Sequence, residues 1–219
     1  MLNVIGEGKK YDWIVASHVI EHTPDILGFL IDCQELLSPG GRLVLEIPHR
    51  RFCFDALRPL TSLGQAFHAH FEKRTRHLPG TIYDFVSEYS PRDSVGAWGE
   101  GHPGQLARGH SDATAWAAFG ANSTNDDYAD THAQVFVPAS FQLLIETVYG
   151  LGLLKLREVG FHKPVGCGFF LALSEHGARP RMSSAGRRKR NSLPGCWSAS
   201  ISCLIASEQA RQMRQVARR

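Results

Sequence analysis

The sequence predicts an α/β fold in which parallel strands are followed by a C-terminal antiparallel hairpin. Three observations predict it. Residues 11–48 read as strand, polar turn, helix, glycine stop and strand. A helical stripe of Phe141, Leu144, Ile145 and Val148 follows Pro138. Beyond it, two apolar runs at 154–161 and 168–173 are separated by a few residues around Pro164 and Gly166.

The first strand is the run Trp13, Ile14, Val15, Ala16, rich in β-formers. Ser17 and His18 follow it. Thr23-Pro24-Asp25 then predicts a helix start: Thr23 can cap free N–H groups, Pro24 lacks one, and Asp25 suits the positive helix end. Ile26, Leu30, Cys33 and Leu37 recur at helical spacing, and Pro39-Gly40-Gly41 stops the run. Leu43, Val44, Leu45 and Ile47 form the second strand. Two strands joined by such a helix are a right-handed parallel unit, and ligands bind beyond the carboxyl ends of its strands. That edge carries Ser17, His18, Glu21, His22, His49 and Arg50.

After the stripe at 141–148, helix-ending glycines stand at 150 and 152. The alternation of residues 154–161 changes phase near Glu158, as a bulge would make it. Two strands so closely joined must be antiparallel.

The phrases YDWIVASHVIEHTPD and LLSPGGRLVLEIP resemble the central part of a class I S-adenosylmethionine-dependent methyltransferase. RRFCFDALRPLTSL and YADTHAQVFVPASFQLLIE resemble a bacterial-type subgroup in which these phrases flank an insertion. The resemblance spans about residues 3–175 and is least clear at 76–125. It implies a partial Rossmann-like methyltransferase sheet over residues 1–175, a substrate-side insertion at 51–138, and a basic tail at 176–219. It implies S-adenosylmethionine as cofactor, with Ser17 and His18 near its methionine end. For a substrate-side base it leaves His22, Asp130 and His132, histidine because its pKa lies near operating pH. Glu21 and His22 orienting the helix start, and Ser17 as a plain strand end, are the structural alternatives.

The family's glycine-rich loop, ribose acid and adenine contact would fall ahead of Tyr11. Gly6-Glu7-Gly8 has no following helix, and the match at Gly99, Gly101 and Gly104 has Pro103 inside it and no strand before it. The expectation is therefore an N-terminally truncated enzyme with impaired cofactor binding and an exposed apolar edge at residues 13–17, prone to self-association. The competing expectation is a non-catalytic fragment or interaction module with a nucleic-acid-binding basic tail.

Residues 52, 54, 57 and 60 (Phe, Phe, Leu, Leu) are expected to pack the insertion down, with Asp55 and Arg58 as polar candidates beside them. His68-Ala69-His70 and Asp130-x-His132 invite a metal reading, but H-x-H in a helix places the rings on different faces, and no metal is expected. A hydrolase using Ser17 or Asp130 with histidines is not expected, for want of a nucleophile elbow or triad spacing.

The net charge of +3 conceals two regions. Residues 177–219 hold 10 Lys and Arg against one acid, Glu208, a net +9; residues 1–176 hold the other 14 basic and 20 acidic residues, a net −6. The basic run at 187–190 reads as a solvated tail rather than a nucleic-acid site. No apolar run approaches roughly 20 residues, and five cysteines without a C-x-x-C pair favour reduced thiols. The expected chain is cytoplasmic and acts on a small-molecule or sugar-like acceptor.

Overall fold

The apolar β-formers near the start pair as expected. In the computed structural model, which describes residues 8–176, β1 (Tyr11–Ser17) runs parallel to β2 (Leu37–Pro48). Between them lie a single 3-10 turn (Ile20–His22) and α1 (Ile26–Leu36). The helix starts later than Thr23-Pro24 suggested. Asp25 is its cap, accepting from Gly28 N at 2.8 Å, while Thr23 Oγ1 donates back to Ile20 O and closes the preceding turn. Its last turn ends at Leu36, so Leu37 opens β2 and does not extend the helical face.

β2 makes an excursion at residues 38–41: Tyr11 faces Leu37, but Trp13 already faces Arg42. Gly40 turns there at φ +79°, and a Cβ on Gly41 would stand 2.9 Å from both Ser38 O and Tyr11 O. Only glycine lets the two backbones approach this closely.

The C-terminal hairpin is β3 (Arg157–Val165) and β4 (Gly168–Ser174). β3 begins three residues later than the apolar run suggested, and its register shifts between Glu158 and Gly160, where the phase change lies. β4 inserts antiparallel between β2 and β3, giving the sheet order β1-β2-β4-β3. Among the described residues β1 is thus an edge strand, with Tyr11, Trp13 and Val15 exposed.

One face of this sheet carries the core. Leu43, Leu45 and Ile47 of β2 and Phe169, Leu171 and Leu173 of β4 meet Ile26, Leu30 and Cys33 of α1. Phe141, Leu144, Ile145 and Val148 of a helix at Pro138–Gly150 complete the cluster.

Three helices occupy the insertion: α2 (Leu63–Phe71), α3 (Pro79–Glu88) and α4 (Asp112–Ser123), so the Pro138–Gly150 helix is α5. Ser62 and Gln65 cap α2 reciprocally. The insertion leaves the sheet at the end of β2 and returns to the same place, where Arg50 N donates to Phe136 O at 2.9 Å. Of the four residues expected to hold it down, Phe52, Phe54 and Leu60 are half-buried; Leu57 is exposed instead, because its neighbours Asp55 and Arg58 turn inward as a pair. Among the described residues no helix is long and apolar enough to cross a membrane. The basic tail at 177–219 lies outside the described residues.

Candidate active site

The carboxyl end of β1 forms one half of the site. Ser17 Oγ donates to Glu46 Oε2 of β2 at 2.6 Å. His18 leaves the strand at φ +52° and donates its backbone N–H to Glu46 O. This left-handed conformation swings the imidazole between two carboxylates, with Nδ1 3.4 Å from Glu21 Oε1 and Nε2 3.6 Å from Glu46 Oε1. Burial alone would lower the His18 pKa; contacts with Cys167, Glu21 and Glu46 outweigh it, and the pKa is pushed up to about 12. Glu46 moves the other way: burial opposes its charge, but His18 and Ser17 hold it below the usual carboxylate range.

The second half comes from the insertion, stitched to the 3-10 turn by its backbone. Ala133 N and Gln134 N both donate to Glu21 O, at 2.7 and 3.0 Å. That pairing lays Asp130 and His132 over His22. Nδ1 of His22 is 2.7 Å from Asp130 Oδ1, and the His22 and His132 rings meet edge to face at 4.6 Å. His132 Nδ1 is bound in turn by Asp55 Oδ2 at 2.6 Å, and Arg58 Nη1 donates to the other Asp55 oxygen at 2.8 Å. Asp55 is buried, which disfavours its charge, yet His132 and Arg58 keep its pKa below the ordinary value.

Around this pair the walls are aromatic. Phe54 and Phe85 lie 4.8 and 5.7 Å from the His132 ring, and Tyr89 stacks on Phe54. The Tyr128 hydroxyl lies 3.2 Å from His22 O, 3.3 Å from Asp130 Oδ1 and 3.3 Å from His77 Nε2. Burial lowers the His77 pKa to about 4, so that ring is neutral near pH 7.

Of the residues singled out from sequence, Ser17 and His18 stand together at the strand end, and His22, Asp130 and His132 form one cluster beside them. His68 and His70 diverge: His68 pairs with Glu72, and His70 reaches Asp25 at the start of α1. Glu46 carried no assigned role, Glu21 only that of orienting the helix start, and Asp55 only that of a polar candidate beside Arg58. Glu46 sits in a strand, Glu21 looks like a helix-start acid, and Asp55 three residues before Arg58 looks like an ordinary pair. The signal for Asp55 was there, since D-x-x-R between apolar residues implies a pair carried inward.

Residues 4–96 match the family model described as a methyltransferase domain. A segment of 43 residues is 40% identical to the ubiquinone biosynthesis O-methyltransferase of Cereibacter sphaeroides (strain ATCC 17025 / ATH 2.4.3), covering 20% of this chain and 17% of that protein. The same-named protein of strain ATCC 17029 / ATH 2.4.9 is 37% identical over 43 residues, with the same coverage. The matched segment thus spans about a sixth of those relatives' length. The β1-β2-β4-β3 sheet, the polar strand end and the match over residues 4–96 are together consistent with a partial Rossmann-like methyltransferase fold.

Proposed function

We propose that the site transfers a methyl group from S-adenosylmethionine to a hydroxyl oxygen of a small-molecule acceptor. The observation that carries this reading is a strand-end polar group and a buried histidine–carboxylate pair on either side of the turn that follows β1. S-adenosylmethionine, when bound, supplies a methyl group activated by sulfonium. Two carboxylates around one imidazolium, Glu21 and Glu46 about His18, suit its cationic methionine end. Ser17 and the backbone of residues 17–18 orient it.

On the acceptor side, His22 and His132 each hold a carboxylate at Nδ1 and leave Nε2 as the proton acceptor. S-adenosylmethionine would supply the methyl group to a hydroxyl oxygen held at near-attack distance and would leave as the thioether, while Nε2 of His22 or His132 would take the hydroxyl proton. Asp55, ionised and fixed by Arg58, stabilises the imidazolium formed on His132. Phe54, Phe85 and Tyr89 favour an acceptor with a flat or apolar face. An oxygen acceptor also agrees with the printed name of the Cereibacter relatives.

Cofactor grip in this chain alone is proposed to be weak, since among the described residues β1 is the strand that offers its end to the cofactor. Calorimetric titration with S-adenosylhomocysteine measures that grip. Saturable binding weakened at least tenfold by Ser17→Ala supports the methyl-transfer reading, a micromolar constant overturns the weak grip, and no heat up to millimolar ligand would sink methyl transfer for this chain.

The exposed β1 edge favours a second reading, in which the chain associates with a second copy through β1. Two-fold pairing of identical edges would continue the sheet across both copies.

A further inference from the structure

Glu21 is a chemical oddity. Its side chain is 1% exposed, and neither carboxylate oxygen has a hydrogen-bond partner. Buried carboxylate oxygens ordinarily accept hydrogen bonds, and ion pairing alone leaves both Glu21 oxygens without one. Its nearest polar neighbours are His18 Nδ1 at 3.4 Å and His22 Nε2 at 3.8 Å, ion-pair contacts that make no hydrogen bond to either oxygen.

The neighbours are arranged as ligands are. His22 and His132 both commit Nδ1 to a carboxylate, at 2.7 Å to Asp130 and 2.6 Å to Asp55. A carboxylate on one ring nitrogen fixes the tautomer and points the other nitrogen's lone pair outward, which is how ligating histidines are held in metal centres. One donor atom from each of Glu21, His22 and His132 lies within 4.8 Å of the others. Donors around a shared tetrahedral ion sit about 3.4 Å apart, so a small rotation of Glu21 closes the set.

We infer that Glu21, His22 and His132 form a binding site for one divalent transition-metal ion. Two imidazoles and one carboxylate, with further positions open, select zinc or iron(II) over the hard ions magnesium and calcium. Thr131, whose buried hydroxyl also lacks a partner, flanks the site. The ion takes one Glu21 oxygen and leaves the other to His18. The site is built jointly by the turn after β1 and by the returning end of the insertion, so the ion also ties these segments together. An ion and a proton compete for the same imidazole nitrogens: without the ion the site accepts the proton of a hydroxyl, and with it the site binds that oxygen directly and the proton leaves to water. The inference rests on ligand geometry and does not require that the chain transfers methyl groups.

The test is Co(II) titration of the full chain after chelator dialysis, read by visible d–d absorption and repeated with Zn(II) by calorimetry. One ion per chain is expected, with Zn(II) displacing Co(II). Glu21→Gln and His132→Ala should abolish the saturable band. Asp130→Asn, a change at an exposed residue that leaves the core untouched, should weaken binding about tenfold or more. His68→Ala and His70→Ala should leave it unchanged. Binding that persists undiminished in His132→Ala and Asp130→Asn, or the absence of saturable binding in the folded wild-type chain, overturns the inference. Titration with S-adenosylhomocysteine on the same samples reports the cofactor site separately.

Discussion

His132 and Asp55 are 77 residues apart in the chain and 2.6 Å apart in the fold. Asp55 also accepts from Arg58, so a buried carboxylate links one cation and one imidazole at the base of the site. Removing its charge leaves Arg58, itself buried, uncompensated. Asp55→Ala is therefore expected to cost about 3–5 kcal/mol in urea unfolding. The pH dependence has a definite sign. Asp55 has a folded pKa below its unfolded value of about 3.9, so its contribution is present above that value and is lost as pH falls through the folded pKa. Loss of wild-type stability below about pH 4 should be steeper than in the variant. Parallel curves would show that Asp55 is not the charged member.

The β1–α1–β2 unit was legible because periods of two and 3.6 alternate cleanly and Pro39-Gly40-Gly41 ends the helix. Its start was misread because two good caps, Thr23 and Asp25, stand side by side. What separates them is tertiary: His70 of α2 binds the Asp25 carboxylate at 2.9 Å, anchoring that residue at the helix end. The insertion's three helices went unassigned although Ser62, Pro79 and Ser111 each mark a start. Family resemblance put forward His22, Asp130 and His132, but their contact depends on backbone bonds from residues 133 and 134 to Glu21 O. No local pattern encodes such a bond, which is why the contact of His22 with Asp130 and His132 emerged only in the folded chain.

His18 offers a titration of opposite sign. Its folded pKa, about 12, lies above the unfolded value of about 6.5. The stabilisation is therefore fully present below the unfolded value and is lost as pH rises toward the folded one. His18→Asn keeps a residue that tolerates positive φ and removes the imidazolium. In chelator-treated samples, the stability gap between wild type and variant should be wider at pH 6 than at pH 9. A gap that grows with pH would mean that His18 is held neutral between Glu21 and Glu46.

Gly41 tests the excursion in β2. An added methyl group would meet Ser38 O and Tyr11 O at 2.9 Å, both backbone atoms that cannot rotate away. Gly41→Ala should cost about 1–3 kcal/mol through displaced backbone. The damage should be local: amide exchange ought to quicken in β1 and the first residues of β2, leaving β3 and β4 protected. Uniform loss of protection would show that the β1 pairing is not a separable part of the sheet.

The β1 edge gives the last expectation. Val15 is 60% exposed beside Trp13 on a strand that pairs with β2 alone among the described residues. A lysine there leaves the buried Ala16 and the pairing with Val44 in place. Val15→Lys should therefore change stability by no more than about 0.5 kcal/mol. Edge-to-edge pairing, by contrast, would bring two like charges together across the two-fold axis and expose them to an apolar neighbour. Light scattering during size-exclusion chromatography should then show a wild-type dimer and a Val15→Lys monomer of equal thermal stability. A wild-type chain that elutes as a monomer at high micromolar concentration, or a variant that still dimerises, would remove β1 as the contact and leave the methyl-transfer reading without a rival.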